Sequence, residues 1–221
     1  MNGFECLPHQ GWMRVLDTAI GFGAGHLSCY ELTVHDGTAF GRLHRRGELR
    51  LLGQDQRADS FRATVGRLAD AGYEQYEVSN FAVCRGSRSP HNQKYWQSVP
   101  YLGVGPGAHS FALDRRWSNR RSLRDWSEAL RPERVNGAQI ADVETLNEEQ
   151  RKLEWVLLRS RTSDGLDLAD YRRRFGMCLL ESHTPYVRSL VSRGLAILDS
   201  DILRLTTDGL LVADSVALDL S

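Results

Sequence analysis

Lysine is almost absent from this chain. Of 28 basic residues only Lys94 and Lys152 are Lys, and the remainder are Arg. Such a bias reflects a GC-rich coding sequence more readily than a binding surface. Net charge is absent as well, with 28 bases against 28 acids. That balance removes any bulk electrostatic case for nucleic acid or an anionic membrane as partner. The four cysteines, Cys6, Cys29, Cys84 and Cys178, form no C-x-x-C pair, so the sequence predicts neither a zinc site nor a disulfide framework. They read as reduced thiols of a cytoplasmic protein. No apolar run approaches the roughly 18 residues of a membrane span. The opening MNGFECLPHQGWM has no basic region followed by an apolar one, as a secretion signal would. Internal repeats and low-complexity segments are missing too.

What is present is an α/β pattern. Trp12, Val15, Leu16, Ala19 and Ile20 recur at helical spacing, and Gly21, Gly23 and Gly25 punctuate the end of that helix. Residues 26–34, HLSCYELTV, read as a strand buried on both faces. A second amphipathic helix is expected over residues 55–71, with Ala58, Phe61, Val65, Leu68 and Ala69 on its inner side, then a strand over 73–79. The alternation of helix and strand predicts βα units and a parallel sheet. Residues 101–111, YLGVGPGAHSF, read as a further strand thinned by glycine, and a short helix follows near 122–130. The pattern loosens around residues 131–144, where a domain boundary is drawn, giving regions 1–135 and 145–221. The second region should hold helices near 147–159, 167–175 and 179–193. A hairpin of 196–198 with 203–205 and a last helix near Thr207 complete a winged-helix-like outline. A parallel sheet entered through a helix has lost the strand before it, so an open sheet edge is expected.

Several residues could carry chemistry. Gly103, Gly105 and Gly107 strip one face of their strand, so that either a neighbouring backbone or a ligand can come close. They fit neither a G-x-x-x-x-G-K phosphate loop nor a dinucleotide fingerprint opening a helix. His91 and His109 are candidate haem ligands or proton donors near neutral pH, or packed and hydrogen-bonded residues beside Tyr95 and Trp96. Glu77, Ser79 and Asn80 stand at a strand end, where barrel enzymes collect their functional groups and where ordinary turns also use Ser and Asn. The helix over 179–193 offers only Arg188 and Arg193 beside Glu181. That is too little for a recognition helix, and nucleic acid is not expected as a partner.

The segments HLSCYELTVHDGTAF, GYEQYEVSNFA, HNQKYW, YLGVGPGAHS and LRLTTDGLLVADSV occur in an order and spacing that closely resemble the oxygen-independent coproporphyrinogen III oxidase-like family. Within that group of the radical S-adenosylmethionine superfamily, the resemblance is best to the HemW branch of haem chaperones. It implies the C-terminal part of an incomplete TIM-like (β/α) barrel, followed by a small HemN-type C-terminal domain. It also implies S-adenosylmethionine and a 4Fe–4S cluster in intact members, and haem or a porphyrin as ligand. Tyr30, Glu31, Glu77, Ser79, Asn80, Gly103, Gly105, Gly107, Ala108 and His109 are carried over as cofactor-facing positions, and His91 and His109 as haem contacts.

The sequence departs from the family in one decisive respect. It contains no C-x-x-x-C-x-x-C, the spacing that lets three thiolates hold a cluster while one iron stays free. Pro90 also stands where members carry Arg before the His. No catalytic residue is therefore assigned and no cluster is expected on this chain alone. The expectation is a truncated haem- or porphyrin-metabolism protein. The alternatives are a stand-alone haem-binding or interaction protein, or one completed by a separate chain that supplies the preceding strands.

Overall fold

The structure is a computed structural model that describes residues 1–131 and 138–221. The proposed domain boundary includes residues 132–137, which lie outside the described residues. The chain divides into two compact units. The first is Met1–Ser89 with Ser160–Ala213, and the second is Pro90–Arg159 with Asp214–Ser221.

The first unit opens with helix α1, His9–Gly21, which buries Trp12 and Leu16. Strand β1, His26–Ser28, helix α2, Ala39–Arg45, and helix α3, Gln54–Asp70, follow. The inner face of α3 is Ser60, Thr64 and Leu68 rather than the wholly apolar stripe expected, and Ala69 is exposed. The cause is a buried hydrogen bond. Trp12 Nε1 donates to Thr64 Oγ1 at 2.7 Å, and Thr64 donates to the Ser60 carbonyl at 2.7 Å, so the polar side chain is satisfied where it is buried. Around this bond Trp12, Leu16, Leu68, Tyr73 and Phe81 form the core. Full burial of Leu68, at 0% exposure, contributes on the order of 2 kcal/mol.

Strand β2, Glu74–Glu77, and strand β3, Asn80–Ala82, complete a sheet of order β1-β3-β2 whose pairs are all antiparallel. The expected parallel sheet is corrected here. The chain reverses at Val78 and Ser79 after a bulge between Gln75 and Glu77, so β3 inserts between two strands that run in the same sense. A parallel arrangement survives in the bridge Asn2↔Glu31, where Asn2 N–H reaches the Tyr30 carbonyl at 3.0 Å and Leu32 N–H the Asn2 carbonyl at 2.8 Å. The opposite side of that segment is taken by the antiparallel bridge Phe4↔Leu51. The chain's own residues thus pair with the segment that follows β1, while β1 itself remains an edge strand of its sheet.

The second unit begins with α4, Pro90–Trp96, whose leading Pro suits a first helical position. Strands β4, His109–Ala112, β5, Arg115–Asn119, and β6, Ile140–Thr145, form an antiparallel sheet in that order. Helix α5, Leu123–Ala129, and helix α6, Glu148–Ser160, accompany it. The strand expected over residues 101–111 is a strand only from His109. Tyr101 pairs with Phe111 by two hydrogen bonds of 2.9 and 3.0 Å. The intervening residues form a loop in which Gly105 has φ of 108° and Gly107 of 68°, values that a continuous strand cannot hold.

The chain then returns to the first unit with β7, Leu166–Asp167, α7, Leu168–Phe175, α8, Leu179–Ser192, β8, Ala196–Asp199, and β9, Ile202–Leu205. These pair antiparallel in the order β7-β9-β8. Asp167 caps α7 by accepting from the Asp170 N–H at 2.8 Å, and Gly176 ends it in the left-handed conformation. Leu166, Leu179, Val187, Leu190 and Leu203 are buried. The expected helices and hairpin are therefore present within about two residues of their predicted ends. Helices α9, Thr207–Leu210, and α10, Ala213–Asp219, close the chain. Among the described residues no helix is long and apolar enough to cross a membrane.

Candidate functional site

In the first unit Glu77, Ser79 and Asn80 do come together, and they satisfy one another. Glu77 is 5% exposed and Asn80 2%. Glu77 Oε2 accepts from the Ser79 N–H at 3.0 Å and from Asn80 Nδ2 at 2.6 Å. Ser28 Oγ donates to Asn80 Oδ1 at 2.8 Å, and Arg161 Nε lies 3.7 Å from the other Glu77 oxygen. Because β2 reverses within two residues, the carboxylate is placed to hold the N–H of its own turn. Burying a carboxylate is costly unless charge and hydrogen bonds compensate it, and both are supplied here by the protein. Glu31 pairs with Arg57, whereas Tyr30 stays 47% exposed.

Close by is a cluster that sequence reasoning missed. His26 Nε2 lies 2.7 Å from Tyr76 Oη, which also accepts from the Ser89 N–H at 3.0 Å, and the Arg88 guanidinium stands 5.2 Å from the Tyr76 ring centroid. Arg88 is itself buried between Glu74 at 3.0 Å and Asp164 at 3.3 Å. Burial lowers the His26 pKa and raises that of Tyr76. Residues separated by 50 positions leave no periodic signal in the sequence.

The second unit holds a cleft of about 770 Å³ whose lining includes His91, Lys94, Tyr95, Tyr101, Gly103 and His109, together with Gly107 and Ala108. Helix α4 presents His91, Lys94 and Tyr95 at i, i+3 and i+4, hence on one face. His91 Nε2 and Tyr95 Oη are 3.0 Å apart, and the two rings meet edge to face at 5.0 Å between centroids. Tyr95 meets Tyr101 in the same way at 4.7 Å. Opposite them, the glycine loop is fixed from beneath. The buried Ser110 hydroxyl accepts from the Gly103 N–H at 2.9 Å, and Asn119 Nδ2 donates to the Gly105 carbonyl at 2.9 Å. A Cβ on Gly103 would stand 2.1 Å from the His109 carbonyl oxygen. The close approach at Gly103 is therefore to the chain's own backbone. Gly105 and Gly107 supply the turn, and the space around Gly105 is open. His109 is exposed, and its ring has no hydrogen bond among the described residues. Lys94, Tyr95 and Tyr101 were not picked out from sequence as ligand contacts, although the helical spacing of HNQKYW carries the first two.

The cysteines lie apart in character as well as in sequence. Cys29 is partly buried and its thiol is pushed up to about 11 by burial, whereas exposed Cys84 is lowered by hydrogen bonds from Ser87 and the Gly86 N–H. Among the described residues no three His, Cys, Asp or Glu side chains gather to hold a metal ion. A 4Fe–4S cluster does not fit the side chains this chain provides.

Residues 146–212 match the HemN C-terminal domain. The chain is 36% identical to the haem chaperone HemW of Mycobacterium tuberculosis (strain CDC 1551 / Oshkosh), over 92% of this chain and 49% of that protein. It is 28% identical to HemW of Bacillus subtilis (strain 168), over 91% of this chain and 52% of that protein. It is 31% identical to the mitochondrial radical S-adenosyl methionine domain-containing protein 1 of Mus musculus, over 100% of this chain and 51% of that protein. In structure it is similar to coproporphyrinogen III oxidase (HemN) from Escherichia coli, a radical SAM enzyme. That match has a TM-score of 0.72 and 15% identity, and it covers 99% of this chain and 53% of that one. The chain thus spans about half the length of the curated relatives it matches, and the described residues form small sheets rather than a closed barrel. The chain belongs to the oxygen-independent coproporphyrinogen III oxidase-like family that includes HemN and HemW.

Proposed function

We propose that this chain handles haem or a related porphyrin in the cytoplasm, with the cleft of the second unit as its tetrapyrrole site. The observation that carries this reading is the juxtaposition of His91 and His109 with the Tyr95–Tyr101 edge in one cleft. Imidazole ligates iron, and aromatic rings supply the apolar, flat surface a macrocycle needs. The volume falls within the ordinary range for small-molecule sites. Of the two imidazoles, His109 is the better placed to ligate, because His91 Nε2 is engaged by the Tyr95 hydroxyl.

Tyr30, Glu31, Glu77, Ser79 and Asn80 form, in this reading, the wall of an S-adenosylmethionine cavity in intact relatives. Tyr30 and Glu31 are the members with open surface, and the Glu77 group braces the wall. Radical chemistry requires thiolates that these 221 residues do not carry in the needed spacing. Handling of haem or a porphyrin through the cleft is the part of the family's work that these residues support.

Hemin titration of the chain tests this. Saturable binding with a sharp Soret band is expected, greatly weakened in His109→Ala and less so in His91→Ala. Absence of saturable binding, or a band untouched by both substitutions, overturns the reading.

A further inference from the structure

The two lysines differ in a way that histidine ligation does not explain. Lys152 is buried and paired with Glu148 at 2.8 Å and Glu149 at 3.0 Å. Lys94 has no carboxylate within ion-pair distance among the described residues, yet it lies in the cleft with His91, Tyr95, Tyr101 and His109. No Asp or Glu lines that cleft. An unpaired ammonium among aromatic rings and imidazoles, with no acid to neutralise it, favours an anionic ligand. A ligand that is flat and apolar in the middle and acidic at its rim would match both the Tyr95–Tyr101 edge and this cation. Placing a carboxylate against aromatic walls is costly unless a cation accompanies it.

We infer that Lys94 is a specificity-determining residue of this cleft, binding a peripheral carboxylate of the tetrapyrrole through its ammonium group. This rests on the tetrapyrrole reading of the cleft given above. Its place on α4, three residues after His91 and one before Tyr95, sets the acid-binding group beside the aromatic edge. It separates the work of the site into ring recognition by Tyr95 and Tyr101, and rim recognition by Lys94.

The probes are hemin and hemin dimethyl ester, which share the macrocycle and iron but differ in rim charge. Each is titrated into the wild-type chain, Lys94→Gln and Lys94→Arg at low and high salt. Wild type should bind hemin about three- to tenfold more tightly than the diester, the range expected for one partly exposed charged contact. Salt should shrink that preference. Lys94→Gln should lose most of the preference while holding its affinity for the diester, and Lys94→Arg should keep it. Equal binding of acid and ester by wild type, or a preference retained in Lys94→Gln, overturns the role of Lys94 and leaves the tetrapyrrole site standing. Failure of both probes to bind wild type overturns the site itself, and the role of Lys94 with it.

Discussion

The Glu77 group and the His91–His109 cleft are both polar constellations that the family resemblance nominates, yet they are opposites in physical state. Glu77 and Asn80 are buried, and their polar atoms are occupied by Ser79, Ser28 and Arg161. His109 and Lys94 are exposed, face a cleft, and have no such partners. A buried polar group with its hydrogen bonds complete holds a turn in place. An exposed cation or imidazole in an aromatic cleft has its bonding capacity still to use. The contrast teaches that position at a strand end does not by itself identify a ligand-binding residue. What separates the two cases is whether the protein has already satisfied the group.

The largest expected effect breaks the first constellation. Glu77→Ala leaves the buried Asn80 amide without its acceptor and empties a buried site, a loss worth roughly 3 kcal/mol. Thermal unfolding followed by circular dichroism should shift downward by about 6–12 °C for a chain of this size. Glu77→Gln keeps an acceptor and should cost about half as much. A shift of under about 2 °C in Glu77→Ala would show that the group is not a structural brace.

Next in size is Gly103→Ala, which places a methyl 2.1 Å from the His109 carbonyl oxygen. Backbone cannot give way there without opening the Tyr101–Phe111 pair, so the cost should be about 2 kcal/mol. Hemin affinity should fall with stability, because His109 and Tyr101 move apart. Gly105→Ala meets nothing within 4 Å. It should cost only about 1 kcal/mol, through its positive φ. Equal effects of the two substitutions would contradict the packing described for Gly103.

Much of this contrast was not legible in the sequence, for specific reasons. Helices α1, α3, α7 and α8 were, because their apolar residues recur at helical spacing and glycines mark several of the ends. Strands β5 and β6 were not: Arg115–Asn119 has Trp117 as its one apolar residue and Ile140–Thr145 is mostly exposed, so no buried apolar face announces them. G-x-G-x-G imitates the period of two that marks a strand, and only the positive φ values reveal a loop. The alternation of helix and strand suggested parallel pairing, whereas the reversal at Ser79 is held by one carboxylate bonding its own turn. His91 and His109 could be nominated singly. Their meeting in one cleft depends on the Tyr101–Phe111 closure, which spacing does not encode.

A smaller contrast lies inside the first unit. The Cys29 thiol, raised to about 11 by burial, should be nearly inert near neutral pH, while Cys84, lowered by its hydrogen bonds and exposed, should react readily. Brief iodoacetamide treatment of the folded chain at pH 7.5, read by peptide mass spectrometry, should label Cys84 well ahead of Cys29. Comparable labelling would mean that the β1 region opens freely.

The smallest expected effect concerns His26, an imidazole like those of the second constellation but engaged like the groups of the first. Its Nε2 is 2.7 Å from Tyr76 Oη, and burial holds its pKa below the ordinary 6.5. The charged groups facing this pair are Arg88, over the Tyr76 ring, and Glu77, next in the chain. As pH falls through 6.5, the unfolded chain takes up a proton that the folded chain still resists, so the unfolded state binds more protons. Stability then rises with pH across that window and is lost on acidification. Wild type should therefore lose more of its melting temperature between pH 7.5 and 5.5 than His26→Gln, which keeps a polar partner for Tyr76 but cannot titrate. Carboxylate protonation is common to both proteins and cancels in the difference. An equal loss in the two would place the His26 ring in water rather than against Tyr76, and would move this residue from the satisfied class to the open one.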